Sequence, residues 1–175
     1  LIDDNHLCFM IGDVSARGME ATLFMHTIKE SIEEKAKKGL SPKNIFELVN
    51  NEVCKDKESG LFVTTWLGIL DLSTKVLTYS NAGQNIPLFS LDNKFEYIEK
   101  SGSSLFLGGV ENASYENKEV KLSKDQKIFL YTDSVVASLN SEKEMFGDKR
   151  LISYLNNHSS ETVDNIVNGV KSEIE

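Results

Sequence analysis

Apolar and polar positions along the chain follow two patterns, one typical of strands and the other typical of amphipathic helices. Short apolar runs bounded by turn residues predict strands over 7–11, 61–70, 76–79, 86–91, 95–98, 118–122 and 127–131. Apolar residues at three- and four-residue spacing predict helices over 19–38, from 42 onward, over 148–157 and over 160–173. We expect the four strands between residues 61 and 98 to form an antiparallel meander.

The order of these elements predicts an α+β fold. One helix pair follows the first strand and a second pair ends the chain, which favours helices flanking stacked antiparallel sheets. A chain of 175 residues has the usual length of one domain and can bury a sizeable core. We therefore expect residues 1–175 to form a single domain.

Composition limits the classes of binding partner and the cellular compartment that we expect for this chain. The chain carries 27 acidic and 19 basic residues, a formal charge of −8, and no basic cluster interleaved with aromatic residues, which argues against nucleic acid as a partner. No apolar run approaches the roughly 18 residues of a membrane span, so no direct membrane contact is expected. Two cysteines without regular spacing and the absence of a leader-like segment favour the cytoplasm.

Two aspartates stand at the ends of apolar strands. Asp13 follows the apolar residues 8–11 and precedes a turn of small residues, and Asp133 follows the strand over 127–131. For Asp13 alone, a helix N-cap is an equally good interpretation. Two neighbouring carboxylates need a shared proton, a basic partner or a divalent cation. With oxygen ligands only, including the carbonyl of Val14, the sequence favours Mg²⁺ or Mn²⁺.

Six motifs carry a resemblance to a known family. They lie, in order, at residues 10–21 (MIGDVSARGMEA), 62–71, 79–88 (YSNAGQNIPL), 107–108, 130–135 (LYTDSV) and 146–147. In this order they resemble the bacterial metal-dependent protein phosphatases of the PPM superfamily, in the branch of sporulation stage II protein E and the sigma-factor regulators. The resemblance implies a layered α-β-β-α sandwich of antiparallel sheets.

The resemblance also implies a reaction, which is hydrolysis of phosphoserine or phosphothreonine with two Mn²⁺ or Mg²⁺ ions that activate a water molecule. Asp13 would bridge the ions, the Val14 carbonyl would be a further ligand, and Asp133 would hold one ion. The expected partner is a phosphorylated regulatory protein, such as an anti-sigma-factor antagonist, and an upstream sensor domain is compatible with this. A catalytically inactive binding module and a small-molecule phosphohydrolase with an enclosed pocket are the alternatives.

The chain departs from the family pattern at several positions. Ala16-Arg17 replaces Gly-Lys, Gln84 replaces a histidine and Ser134 replaces a glycine, but none of these changes removes a ligand. Ser134 would cost about 1 kcal/mol only if its backbone needed a positive φ. Family members carry two further ligand-bearing blocks beyond the span of residues 1–175, so we expect a truncated domain that lacks its first and last strands.

Two polar features receive structural interpretations. The segment Asn81, Gly83, Gln84 and Asn85 has the composition that a tight turn requires, and we interpret it as a turn. His26 lies within the first predicted helix, and we interpret it as a packing residue rather than a catalytic base.

Overall fold

The computed structural model describes residues 1–55, 60–99 and 105–174. The chain divides into two compact units, the first formed by Leu1–Gln84 with Gly102–Ser123 and the second by Asn85–Ser101 with Lys124–Glu175. Each unit combines an antiparallel sheet with helices, so the predicted α+β class is confirmed.

The first unit contains a four-stranded antiparallel sheet in the order β1-β2-β3-β6. Helices α1 and α2 contact one another and pack on this sheet. Its elements are β1 (His6–Val14), α1 (Met19–Lys37), α2 (Pro42–Lys55), β2 (Val63–Asp71), β3 (Val76–Ala82) and β6 (Lys118–Lys121).

The second unit contains a three-stranded antiparallel sheet in the order β5-β4-β7. Helix α4 packs on β5 and contacts α3 and α5. Its elements are β4 (Leu88–Leu91), β5 (Lys94–Tyr97), β7 (Ile128–Phe129), α3 (Asp133–Val136), α4 (Gly147–Asn157) and α5 (Val163–Ile174).

The predicted single meander is wrong, because its four strands divide between two sheets. Strands β2 and β3 pair in the first sheet, whereas β4 and β5 pair in the second. The hydrophobic pattern locates each strand but contains no signal for the change of sheet. The short helix α3 was also missed, since four residues are too few for a helical period to show.

Each unit has its own apolar core. In the first unit, one stripe of α1 and one of α2 meet alternate residues of β1 and β2, including Ile32, Phe46 and Leu67. In the second unit, Leu88, Phe95 and Tyr131 pack against residues of α4 and α5. Only part of the apolar side chains of α5 is buried, because Val163 and Val167 are more than half exposed.

A buried amide anchors the segment that precedes β6. Asn50 on α2 has no exposed surface, its Nδ2 donates to the carbonyl of Val110 at 2.8 Å, and its Oδ1 accepts from the amide of Gly108 at 3.0 Å. The Tyr115 hydroxyl also donates to Asn50 Oδ1, and burial raises the pKa of Tyr115 to about 12. Buried polar groups satisfied in this way specify one conformation of a loop.

Two further findings concern predictions made from the sequence. His26 is exposed and faces Glu30 on the same helix at 3.5 Å, so the interpretation of His26 as a packing residue is wrong. Within the described residues, no helix is long and apolar enough to cross a membrane.

Candidate metal centre

Asp13 lies at the end of the longest strand pairing in the first unit. Strand β1 pairs with β2 over nine residues, and Asp13 is opposite Thr64. Met10 and Val14 pack against the helix core, whereas Phe9 contacts Trp66. Since side chains alternate along a strand, Asp13 shares the face of Phe9, away from the helices, and its side chain is exposed. The N-cap of α1 is Gly18, so Asp13 is not a helix cap.

The register also places the backbone of Val14. The amide of Ser15 donates to the carbonyl of Phe62 at 3.0 Å, which makes Ser15 and Phe62 a hydrogen-bonded pair. Pairs alternate along an antiparallel ladder, so Val14 lies in a non-hydrogen-bonded pair and its carbonyl points away from β2. Among the described strands β1 is at the sheet edge, so we expect this carbonyl oxygen on the side of β1 that no described strand covers.

Close contacts with β2 hold this end of β1 in place. The Ser15 hydroxyl accepts the amide of Phe62 at 3.0 Å, and the buried Thr65 hydroxyl donates to the carbonyl of Ile11 at 2.9 Å. A Cβ at Gly12 would lie 2.9 Å from the carbonyl oxygen of Thr64. Asp13 is therefore positioned mainly by the backbone of two tightly packed strands.

The turn after β3 reaches the same strand pair. The Asn81 side chain closes the turn, because its Nδ2 donates to the carbonyl of Gln84 and its Oδ1 accepts the amide of Gln84. Gly83 has a φ of 77°, which favours glycine. The structural interpretation of Asn81 and Gly83 is thus confirmed. Buried Gln84 accepts the Thr64 hydroxyl at 2.9 Å, so Gln84 supports the strand that pairs with Asp13.

Asp133 occupies a different setting in the second unit. It is the first residue of α3, it follows Thr132 as the N-cap, and its side chain is exposed. Ser134 lies within α3 and is not among the residues with positive φ. The replacement of the family glycine by Ser134 therefore introduces no backbone strain.

Asn85 binds the Asp133 carboxylate. Its Nδ2 donates to Oδ1 of Asp133 at 2.9 Å. Sequence reasoning missed this residue, although a signal exists in the strand pairing. Leu88 is opposite Phe129 in the β4–β7 pair, and continuing that antiparallel register by three residues brings Asn85 opposite Thr132, next to Asp133.

The strand that leads to Asp133 has its own polar anchor. The hydroxyls of Tyr97 and Tyr131 both donate to Oδ1 of Asp148, at 2.8 and 3.3 Å. Burial raises the pKa of Tyr131 well above its ordinary value, and the neighbouring Tyr97 hydroxyl and Asp148 carboxylate act in the same direction. Tyr131 therefore stays neutral and acts as a donor at neutral pH.

The donor set fits a hard divalent cation in type. Asp13, Asp133 and the Val14 carbonyl offer only oxygen, and among the described residues no lysine, arginine or histidine forms an ion pair with either carboxylate. Residues 1–55, 60–99 and 105–174 contain no group of three His, Cys, Asp or Glu side chains that could hold a metal ion. By donor type alone, the Asp13 and Asp133 carboxylates and the Val14 carbonyl, each taken within its own unit, are suited to such a cation.

Solved structures with the same fold define the class. The chain is similar to the PP2C phosphatase domain with a fragment of the regulatory domain of SpoIIE from Bacillus subtilis, with a TM-score of 0.81 and 14% identity, covering 99% of this chain and 50% of that one. It is also similar to RsbX in complex with magnesium, with a TM-score of 0.71 and 20% identity, covering 97% of this chain and 75% of that one. The fold is that of the PP2C phosphatases.

The family follows from the sequence itself. Residues 3–175 match the family model of Stage II sporulation protein E (SpoIIE), so the chain belongs to the SpoIIE family. It is similar to the phosphoserine phosphatase RsbU of Bacillus subtilis, with 26% identity over 135 residues, which cover 76% of this chain and 40% of RsbU. The matches span 31% to 40% of the length of the curated relatives.

Proposed function

We propose that this chain is the catalytic part of a metal-dependent phosphoserine phosphatase that acts on a phosphorylated regulatory protein. The observation that carries the proposal is a pair of exposed aspartates, Asp13 near the end of β1 and Asp133 at the start of α3, each without an ion-pair partner among the described residues. Membership of the SpoIIE family supports the proposal, as does the phosphoserine phosphatase activity for which RsbU is named.

Asp13, the Val14 carbonyl and Asp133 would hold Mn²⁺ or Mg²⁺, and the magnesium in the RsbX structure supports this choice. When bound, such ions supply an activated water molecule and neutralise charge on the phosphoryl group. The contribution of the chain would be to present two exposed carboxylates and a backbone oxygen. We assign no nucleophilic role to Ser15, whose hydroxyl accepts the amide of Phe62.

The net negative charge of the chain also favours a function that uses bound cations. A formal charge of −8 disfavours a phosphorylated partner unless bound cations reverse the local field. An anti-sigma-factor antagonist is the proposed substrate class, by analogy with the sigma-regulator branch of the family. We further propose that both units act together as one catalytic domain in the cytoplasm.

Hydrolysis of p-nitrophenyl phosphate by the full-length protein, measured with and without Mn²⁺, tests the proposal. Asp13→Asn and Asp133→Asn should each lower the Mn²⁺-dependent rate by at least about 100-fold, since even outer-shell partners of a metal cost 10- to 100-fold. Asp92→Asn makes the same charge change in the exposed β4–β5 turn and should keep the wild-type rate. Metal-independent hydrolysis, or equal rates in all four proteins, would contradict the proposal.

A second candidate is a phosphatase-like module that binds a phosphoprotein without turning it over. The observation in its favour is the lack of a three-member ligand group within the described residues. This candidate predicts no Mn²⁺-dependent hydrolysis by the full-length protein and retained binding of the phosphorylated partner, measured by titration calorimetry. Turnover of a phosphoserine protein substrate by the wild type excludes it.

A further inference from the structure

We propose that Asn85 is a positioning residue for Asp133, which fixes the carboxylate before a cation binds. This inference rests on the proposed function, because it assigns Asn85 a role at the same metal centre. The observation behind it is the 2.9 Å hydrogen bond from Asn85 Nδ2 to Asp133 Oδ1. One carboxylate oxygen is engaged by this bond, and no residue that the structure describes forms a hydrogen bond to Oδ2, which could therefore bind a cation.

The contact differs in kind from those of Asn81 and Asn156, which both bind backbone groups. Asn81 closes a turn through the backbone of Gln84, and Asn156 on α4 accepts the backbone amide of Phe95 in β5. Asn85 instead binds a side chain that is exposed at the start of α3. Asn85 is partly buried and Asp133 is exposed, so water competes for the carboxylate and the bond adds little to stability.

The chemistry of the donor suits a metal ligand. An amide N–H orients a carboxylate and leaves its full negative charge for the cation, whereas a lysine or arginine at the same place would compete with the metal. A neutral donor therefore aligns Asp133 without reducing its attraction for Mn²⁺ or Mg²⁺.

The elements next to Asp133 are short. Asp133 stands at the beginning of a four-residue helix, after a strand of two residues. A carboxylate that rotates freely must lose this freedom on metal binding, and ordering it in advance lowers that cost. Asn85 precedes β4, the strand that pairs with β7, and its hydrogen bond restricts the rotation of the Asp133 carboxylate.

The test is a titration of the full-length protein with Mn²⁺, followed by the electron paramagnetic resonance signal of free Mn²⁺. Asn85→Ala should weaken Mn²⁺ binding by about 10-fold or more, and saturating Mn²⁺ should restore kcat to within about threefold of the wild type. Asn156→Ala, in the same unit, is the matched control and should leave the Mn²⁺ affinity unchanged. Thermal unfolding of each variant reports any purely structural effect.

A double-mutant cycle shows whether Asn85 acts through Asp133. In the Asp133→Asn background, Asn85→Ala should cause no further loss of Mn²⁺ affinity. Wild-type affinity in Asn85→Ala, or the same loss in both backgrounds, would overturn the inference while leaving the proposed function intact. If the wild type binds no Mn²⁺ and Asp13→Asn changes nothing, the proposed function fails and the inference fails with it.

Discussion

The two aspartates of the candidate centre are supported in different ways. Asp13 lies at the end of a nine-residue strand pairing in a four-stranded sheet, where the backbone ladder and close packing fix its position. Asp133 follows a two-residue strand and begins a four-residue helix, and its carboxylate is held by the side chain of Asn85. One proposed ligand is thus positioned by main chain and the other by a side chain.

This difference in support predicts which mutations should change stability, metal binding or both. Around Asp13, a change that disturbs the strand pairing should reduce stability and metal binding together, because the same contacts serve both. Around Asp133, a change in Asn85 should reduce metal binding with little loss of stability. The two halves of the centre can therefore be separated by comparing unfolding with Mn²⁺ titration for each variant.

The largest effect is expected at Gly12. A Cβ at this position would lie 2.9 Å from the carbonyl oxygen of Thr64 and 3.2 Å from the Thr65 side chain, so Gly12→Ala must push β1 away from β2. We expect a loss of about 1–3 kcal/mol in the free energy of unfolding, measured in urea, and weaker Mn²⁺ binding. If Gly12→Ala kept the wild-type stability but bound Mn²⁺ more weakly, stability and metal binding would not be linked at Asp13, and the proposed difference between the two aspartates would be wrong.

Gly39→Ala is the matched control for Gly12→Ala. Gly39 follows the end of α1 with a φ of 77°, and a Cβ added there would meet no atom of the described residues within 4 Å. The cost of this substitution is therefore conformational, about 1 kcal/mol, and does not involve the β1–β2 contact. A loss for Gly12→Ala no greater than this would show that the close approach of the strands is not important.

A smaller effect is expected at Tyr131, two residues before Asp133. Tyr131→Phe keeps the buried ring and removes the hydroxyl between Tyr97 and Asp148. We expect a loss of about 0.5–1.5 kcal/mol in the free energy of unfolding, with a Mn²⁺ affinity close to that of the wild type. Tyr97→Phe is a second variant for the same test, because the Tyr97 hydroxyl donates to the same Asp148 oxygen. Weakened Mn²⁺ binding in Tyr131→Phe would mean that Asn85 is not the main support of Asp133.

The smallest effect concerns the far end of the β1–β2 ladder, where Asp71 is opposite His6. Oδ1 of Asp71 accepts hydrogen bonds from the Ser73 hydroxyl and from the amides of Ser73 and Thr74. These bonds hold the pKa of Asp71 well below its usual range, and the bond from the Ser73 hydroxyl has the largest effect. Because the folded pKa is lowered, this stabilisation is present above about pH 4 and is lost as the pH falls further.

Urea unfolding of wild type and Asp71→Asn at pH 6 and pH 3 measures this contribution. The stability difference between the two proteins should shrink at the lower pH, and Ser73→Ala should show a weaker pH dependence than the wild type. An unchanged difference at pH 3 would show that the ionised form of Asp71 does not contribute to the stability of the ladder.

Much of the fold followed from periodicity, and the exceptions have physical reasons. The long helix predicted over 19–38 is observed at Met19–Lys37, and Ser41 accepts the amide of Asn44 as the cap of α2, as its position before Pro42 predicts. The assignment of strands to two sheets was not predictable, because hydrophobic alternation does not identify the partner of a strand.

In the candidate site, too, some residues could be predicted from the sequence and one could not. Asp13 and Asp133 could be selected from sequence because an aspartate after an apolar run is visible locally. Asn85 lies 48 residues from Asp133 in the chain, and its contact depends on the β4–β7 register. Composition marked its segment as a turn, which is correct for Asn81 and incomplete for Asn85.

The β4–β5 hairpin turns on Asp92 and Asn93, which both have positive φ values, 50° and 61°. Two such residues in succession define a tight turn whose twist matches the strands and which fixes their alignment. A slip of one position would reverse the side-chain alternation of β4 and turn Leu88 out of the core. The two-residue turn therefore fixes the alignment of β4 with β5, while the opposite edge of β4 stays free to pair with β7 and to place Asn85 near Asp133.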